Sequence, residues 1–413
     1  MLQRVFARQA GAIIQRGWNG IVPLSSGLDS RVVAGMLRHH GAPLKAFTYG
    51  PAGNQESQYA KAVADALQIE MRMVSNDNAA GLIPGLLDGM VRRVGMQTRF
   101  TAGMGVTIAF TEPQPGTVFL PGHPGNLPTG DVIPRGIHLL RNHQQAIQQI
   151  INNYALPVRE EVIARVLPGW TPESRMEILS TEWTFDPSDP VGSVDEWALN
   201  YHFRRLLLSE MTTYSFYGHW MLPFCDYELV DFFNSVPEEY WAHRRLHIDA
   251  LIHEVFVDDL AALATLPIAG KRGVPHLPKT TWQDQVVNLI PKSVVGDMVL
   301  RRATQSKERD IHNQEGLSVD RPFGPDPLEY WWQHGPDFRD FVIKQYRDWD
   351  GMGGIVDVAE LLKVIEQPLT PFYQRFGLAI FLTLRAFQRI VENESGNINT
   401  RSWSPTRDIG IEG

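Results

Sequence analysis

Cysteine is almost missing: Cys225 stands alone among 413 residues. No internal disulfide can form, and no zinc site built on several thiolates is available. One thiol is what a reducing cytoplasm permits, and the cytoplasm is the expected compartment. Long apolar runs are missing too. The longest near the C-terminus lies between Arg375 and Arg385, well short of the roughly 20 residues a membrane-spanning helix requires. Arg4, Arg8 and Arg16 break up the stretch from Leu2 to Trp18, so it does not read as a secretory signal. Positive charge is scarce as well. With 38 Lys and Arg against 46 Asp and Glu the net charge is −8, which argues against a protein that coats nucleic acid.

What is present is a globular composition, with 43% apolar and 20% charged residues, 35 Gly and 28 Pro. Leu2 to Gln15 has helical periodicity, Gly20 to Leu24 reads as a strand and Ser30 to His40 as a helix. Leu44 to Tyr49, Gln55 to Leu67 and Glu70 to Val74 then give strand, helix and strand. This β-α-β-α-β order predicts an α/β fold with a parallel sheet and right-handed crossovers. A helix with Gly interruptions is expected over Asn78 to Val94, and a buried strand over Thr117 to Leu120 leading into the Gly- and Pro-rich run Pro121 to Gly130. Beyond Pro134 the pattern turns helical: His138 to Tyr154, Arg159 to Val166, Val194 to Tyr214, Leu229 to Ser235, Leu246 to Val255, Asp357 to Ile365 and Phe372 to Val391. Arg301 to Pro327 reads as a long loop. The expected division is an α/β core at 1–135, a mainly helical part at 136–391 and a polar tail at 392–413.

Chemistry concentrates in Leu24-Ser25-Ser26-Gly27-Leu28-Asp29-Ser30, a tight run of small residues between strand and helix. Unpaired N–H groups at the helix start and the positive end of its dipole converge there on an anion. Ser25, Ser26 and Gly27 allow close backbone approach to a phosphate, Ser30 adds a hydroxyl, and Asp29 can hold a magnesium ion. A polyphosphate is the natural occupant. The same string also satisfies a plain turn closed by an Asp or Ser N-cap. It is not a Walker loop, because no Gly-Lys-Ser/Thr follows the glycine.

Leu24 to Ser30 resembles the Ser-Gly-Gly-x-Asp-Ser loop of the N-type ATP pyrophosphatases, and specifically that of the synthetase domain of asparagine synthetases and beta-lactam synthetases. Further stretches follow in the family's order: Phe47-Thr48-Tyr49-Gly50 with Glu56-Ser57, Gly122-His123-Pro124-Gly125-Asn126 in place of a Gly-x-Gly-x-Asp-Glu loop, and Leu222-Pro223-Phe224-Cys225-Asp226 in place of a Pro-Phe-x-Asp segment. The resemblance implies a PP-loop ATP pyrophosphatase core of the adenine nucleotide α-hydrolase type, completed by a large helical C-terminal part. It also implies ATP and Mg2+ as cofactors, with Leu24 to Ser30, Tyr49 and Gly122 at the nucleotide and Asp29 and Asn126 at the metal. Lys271, in Gly270-Lys271-Arg272-Gly273, fits the family's loop lysine, which stabilises the acyl-adenylate and departing pyrophosphate. Arg244 and Arg245 are further candidates for that role, and the alternative for both is plain surface charge.

The match departs from the family in three places. Asn126 stands for the second metal-binding aspartate and brings no charge, and His123 stands for a catalytic acidic position, where it is either a base or simply a loop histidine. Only 24 residues precede Ser25, so no glutaminase with an N-terminal Cys nucleophile is expected ahead of the loop. Gly218-His219-Trp220-Met221 lacks the Glu-x-Arg of asparagine synthetases, so aspartate recognition is not implied. The resemblance implies an AMP-forming, ATP-dependent amide ligase that activates a small-molecule or peptide carboxylate for attack by an amine or ammonia, with a separate glutaminase as one possible supplier. A catalytically weakened nucleotide-binding subunit is the alternative. Thiolating or nitrile-forming relatives need paired cysteines, which this chain lacks.

Overall fold

The computed structural model describes residues 1–75, 81–95, 104–110, 112–131, 133, 137–154, 160–171, 177, 183–241, 244–268, 331–332, 335–366 and 372–395. Five parallel strands form one sheet among them: β1 (Asn19–Pro23), β2 (Leu44–Gly50), β3 (Glu70–Ser75), β4 (Thr117–Phe119) and β5 (His219–Trp220), in the order β3-β2-β1-β4-β5. The α/β fold expected from the strand and helix alternation is the fold observed.

Helix α1 (Leu2–Gln15) and helix α2 (Leu28–His39) pack together on the sheet, and α3 (Gln55–Ala66) connects β2 to β3. In α2 the run from Ser30 to Leu37 is buried without a break. A helix apolar on most sides must be covered on most sides, and here α1, the strands and the turn-like helix Asp258–Ala264 cover it. The largest apolar cluster runs from Leu2 through Val118 and Ile147 to Leu263, so it draws on residues from both sides of position 135. A second cluster joins Ile83 and Leu87 to Trp331, Tyr346 and Leu382.

Several expected helices are subdivided. Ile137–Leu139 is a short 3-10 turn, and a new helix starts at His143. Asn142 accepts a hydrogen bond from the Gln145 amide (3.0 Å), while the Gln145 side chain accepts from the Arg141 amide (2.7 Å). The first of these bonds is the cap that Asn142-x-x-Gln145 signals in the sequence, and the second reaches one residue before it. The single helix expected over 194–214 is instead Pro190–Trp197, a π-helix Ala198–Leu207, Leu208–Met211 and a 3-10 turn Thr212–Phe216. Hydrophobic spacing does not separate i+4 from i+5 bonding, and the same widening occurs at Leu251–Val255 within the expected helix 246–255. Strand β5 is too short to give a pattern, and Pro336–Arg347 is a helix that the periodicity did not mark. Residues 78–80 of the expected helix from Asn78, the loop 301–327, and the tail beyond Ser395 lie outside the described residues.

In the helix Pro190–Trp197, Asp195 has a buried Oδ1 with no hydrogen-bond partner among the described residues. Burial pushes its carboxyl up from the ordinary 3.8 to about 6. Between those values the folded chain keeps a proton that the unfolded chain has released, so stability falls as pH rises from about 4 to about 6 and does not recover above. The displacement alone corresponds to about 3 kcal/mol; because part of the side chain reaches solvent, Asp195→Asn should stabilise the fold by about 1–2 kcal/mol at pH 7.5 and little at pH 4. Urea denaturation at the two pH values measures this, and equal effects at both would contradict it.

Candidate functional site

In the strand order β3-β2-β1-β4-β5 the chain reverses direction of winding between β1 and β4. Crevices outside the carboxyl ends of strands at such a point are where open parallel sheets bind ligands. The loop after β1 is Leu24 to Gly27, and the loop after β4 holds Gly122, His123 and Asn126. Two stretches singled out from the sequence therefore meet at one place.

The first loop is tied down by its own groups. The Leu24 amide donates to the Phe47 carbonyl (2.8 Å). The Ser30 hydroxyl accepts from the Ser25 amide (3.1 Å) and lies 2.8 Å from the Ser25 hydroxyl, which in turn accepts from the Gly27 amide (3.1 Å). Gly27 itself is the N-cap of α2, with extended backbone and no side-chain cap. Neither Asp29 nor Ser30 caps the helix, so the plain turn closed by an Asp or Ser cap is not the arrangement found; both lie in its first turn, with side chains turned to other partners.

Ser26 grips a carboxylate. Glu56 accepts from the Ser26 amide (2.6 Å) and the Ser26 hydroxyl (2.9 Å). Glu56 sits in the first turn of α3 because Asn54 caps that helix, accepting from the Ser57 amide (2.8 Å). Sequence reasoning placed Glu56 in the family's second helix without assigning it this contact, although Asn54-x-x-Ser57 signals the cap. The loop thus binds an oxyanion as its geometry requires, and that oxyanion belongs to the protein.

Asp29 lies at the centre. Its Oδ1 pairs with Arg244 Nη2, and Arg244 Nη1 is 3.5 Å from Oδ2. Arg244 is buried, 9% exposed, and takes a left-handed backbone (φ 62°, ψ 22°) just before the helix Arg245–Ala250. The surface-charge alternative fails for this residue: a guanidinium so enclosed requires a partner. His247, also buried, places Nε2 4.0 Å from Asp29 Oδ1, between the rings of Phe224 and Phe233. Burial, with Arg244 adding to it, holds His247 far below the usual imidazole range, so it is neutral. Burial also raises the Asp29 carboxyl; Arg244 opposes this, Asp131 adds to it and His123 opposes it. The segment Pro223-Phe224-Cys225-Asp226 acts here through Phe224, which packs against His247 and Phe6, while Asp226 caps the next helix and pairs with Arg8.

The second loop is seated directly on the first. A Cβ on Gly122 would lie 2.4 Å from the Ser30 nitrogen, and one on Gly125 would lie 2.6 Å from Asp29 Cγ. Asn126 Oδ1 is buried with no partner among the described residues. His123 faces His202 of the π-helix, whose imidazole is lowered first by burial and then by His123. Tyr49, at the end of β2, stacks on Phe47 and lies flat against Gly105, close to the buried Tyr214. Arg245 opens the helix after Arg244 and is only partly exposed. Lys271 lies outside the described residues.

One residue the sequence did not single out organises the rest. Arg31, 0% exposed, donates to the carbonyls of Ser26 (2.8 Å), Leu263 (2.7 Å), Leu266 (3.1 Å) and Pro267 (3.1 Å). Burial lowers its guanidinium to about 10, with Glu56 acting in the opposite sense, so it remains charged at neutral pH.

Residues 21–102 match a family model described as asparagine synthase. That segment is similar to the asparagine synthase family. The match spans about a fifth of the chain; it takes in the loop Leu24 to Ser30, Tyr49 and Glu56, while Gly122, His123, Asn126, Arg244 and Arg245 lie beyond it. No curated protein matches the chain. Among the described residues no helix is long and apolar enough to cross a membrane.

Two glycine substitutions test the built geometry. Gly122→Ala forces a methyl group onto the Ser30 backbone and should cost about 1–3 kcal/mol. Gly89→Ala, in a helix where an added Cβ meets nothing within 4 Å, should instead stabilise by about 0.5–1 kcal/mol. Thermal melts of both decide the matter. Arg31→Leu strips four carbonyls of their donor and should cost about 3–5 kcal/mol, with Arg31→Lys intermediate. Unfolding titrations that find Arg31→Leu as stable as wild type would show that the buried guanidinium is dispensable.

Proposed function

We propose that the protein is an amide-forming ligase that takes magnesium-ATP at the Leu24 to Ser30 loop, transfers AMP to a substrate carboxylate with release of pyrophosphate, and passes the acyl group to an amine or ammonia. The observation that carries this reading is the oxyanion grip of the loop at the β1/β4 crevice, where Ser26 binds a carboxylate through both amide and hydroxyl. A nest that holds one oxyanion suits another, and the first-turn amides of α2 extend it. Tyr49 and Gly122 border the nucleotide in this reading, and Arg244 with Lys271 answers the negative charge that accumulates as the phosphate bond breaks. Arg245 is a further cation for that charge in this reading, and His123 is the candidate base. The carboxylate is a small molecule or a peptide, the ammonia source can be a separate glutaminase, and the cytoplasm is the compartment.

A second reading, a nucleotide-binding subunit without turnover, is favoured by the uncharged Asn126 and by Glu56 occupying the Ser26 amide. Incubation with ATP and a panel of carboxylates and amines separates the two. The ligase reading expects AMP and pyrophosphate in equal amounts, reduced about 100-fold in Asp29→Ala at unchanged folding by circular dichroism. ADP as the product would exclude it, and ATP binding without any pyrophosphate exchange would select the second reading.

A further inference from the structure

The family resemblance places a divalent ion on Asp29 and Asn126. Magnesium is held by near-octahedral oxygens and favours carboxylates. Here the donor set is one carboxylate already engaged by Arg244, a second, Asp131, near enough for its charge to act on Asp29, one neutral amide oxygen, and the buried imidazole of His247, a poor ligand for a hard cation. Among the described residues no three His, Cys, Asp or Glu side chains group so as to hold a metal. The residues do not fit a protein-held magnesium ion.

They fit a different arrangement. Resting on the reading of this loop as an ATP site, we propose that Arg244 is the resident cation of the site: its guanidinium, and no metal coordinated by the protein, neutralises Asp29 beneath the nucleotide phosphates. Three observations converge on this. Arg244 meets both carboxylate oxygens, with one contact at 3.5 Å. It does so from a left-handed backbone that only surrounding structure can impose on an arginine. His247, fully buried with neither nitrogen bonded among the described residues, places Nε2 4.0 Å from the same carboxylate oxygen, and Asn126 contributes an unpartnered buried oxygen. A fixed arginine also accounts for Asn126, since a site that already holds its cation has no need of a second carboxylate to recruit one. Magnesium then reaches the site only as part of the substrate, on the phosphates.

Calorimetric titration of the full-length protein with ATP, in excess EDTA and in excess magnesium, tests this without any turnover. The wild type should bind with dissociation constants within about threefold of each other in the two conditions. Arg244→Gln, which takes the guanidinium away from Asp29, should lose at least about tenfold in EDTA and regain most of it in magnesium. Arg244→Lys should stay close to wild type, a rescue that a merely structural role would not give. Wild-type binding that collapses by more than about tenfold in EDTA would overturn the inference and leave the ATP site standing. Magnesium independence that persists in Arg244→Gln would overturn it as well. Absence of ATP binding in every condition would overturn both the inference and the reading it rests on.

Discussion

The Arg31 guanidinium, sealed from solvent, bonds the carbonyl of Ser26 on one side and the carbonyls of Leu263, Leu266 and Pro267 on the other. A charge in such a place is stable only while every bond is made. It therefore fixes the conformation of the loop after β1 and the path of a segment more than 230 residues later in the chain. The Ser26 carbonyl points inward to Arg31, and the Ser26 amide and hydroxyl point to Glu56. One buried cation thus orients the peptide whose opposite face grips an oxyanion. The loop's shape follows from this constraint as much as from the small residues that compose it.

A similar rule governs the next layer. Asp29 is compensated by Arg244, and Arg244 is held where it is by the turn that precedes Arg245–Ala250. Asp29 has Arg244 against it and Arg31 has four carbonyls, while His247 is kept neutral by burial. Such alternation makes the site rigid before any ligand arrives, which is the condition under which fixed dipoles and charges stabilise a transition state most. It also raises the local cost of removing any single member, because what remains is a buried charge without a partner.

The parallel sheet and its first three helices were legible because local pattern and final structure agree there: α1 falls on Leu2–Gln15 as the periodicity indicates, and β2 and α3 differ from expectation by one residue. The loop was legible because a phosphate nest is made of consecutive residues. Its charge partners were not. Arg31 looks like one more polar residue on a helix until the face it occupies is known to be covered on both sides, and Arg244 and Arg245 are indistinguishable as neighbours in sequence although one is buried and the other partly exposed. The π-helical turn that brings His202 to His123 leaves no signature in hydrophobic spacing, since i+4 and i+5 bonding tolerate the same residues.

This division has a physical origin that bears on how such a site can change. Recognition of an oxyanion needs backbone amides, which come from one continuous turn, so it is confined to the segment that also matches the asparagine synthase family. Neutralising charge needs only a cation at the right distance, and a cation can come from any element that reaches the crevice. Position 126 is where the two requirements part. An aspartate there would add a third acidic group to a pocket already holding Asp29 and Asp131, whose charges oppose each other. With Arg244 supplying one positive charge, a third carboxylate would overbalance the site further in the absence of an added cation. Asn126 keeps the oxygen and omits the charge, and the balance around Asp29 is then met by residues of the protein.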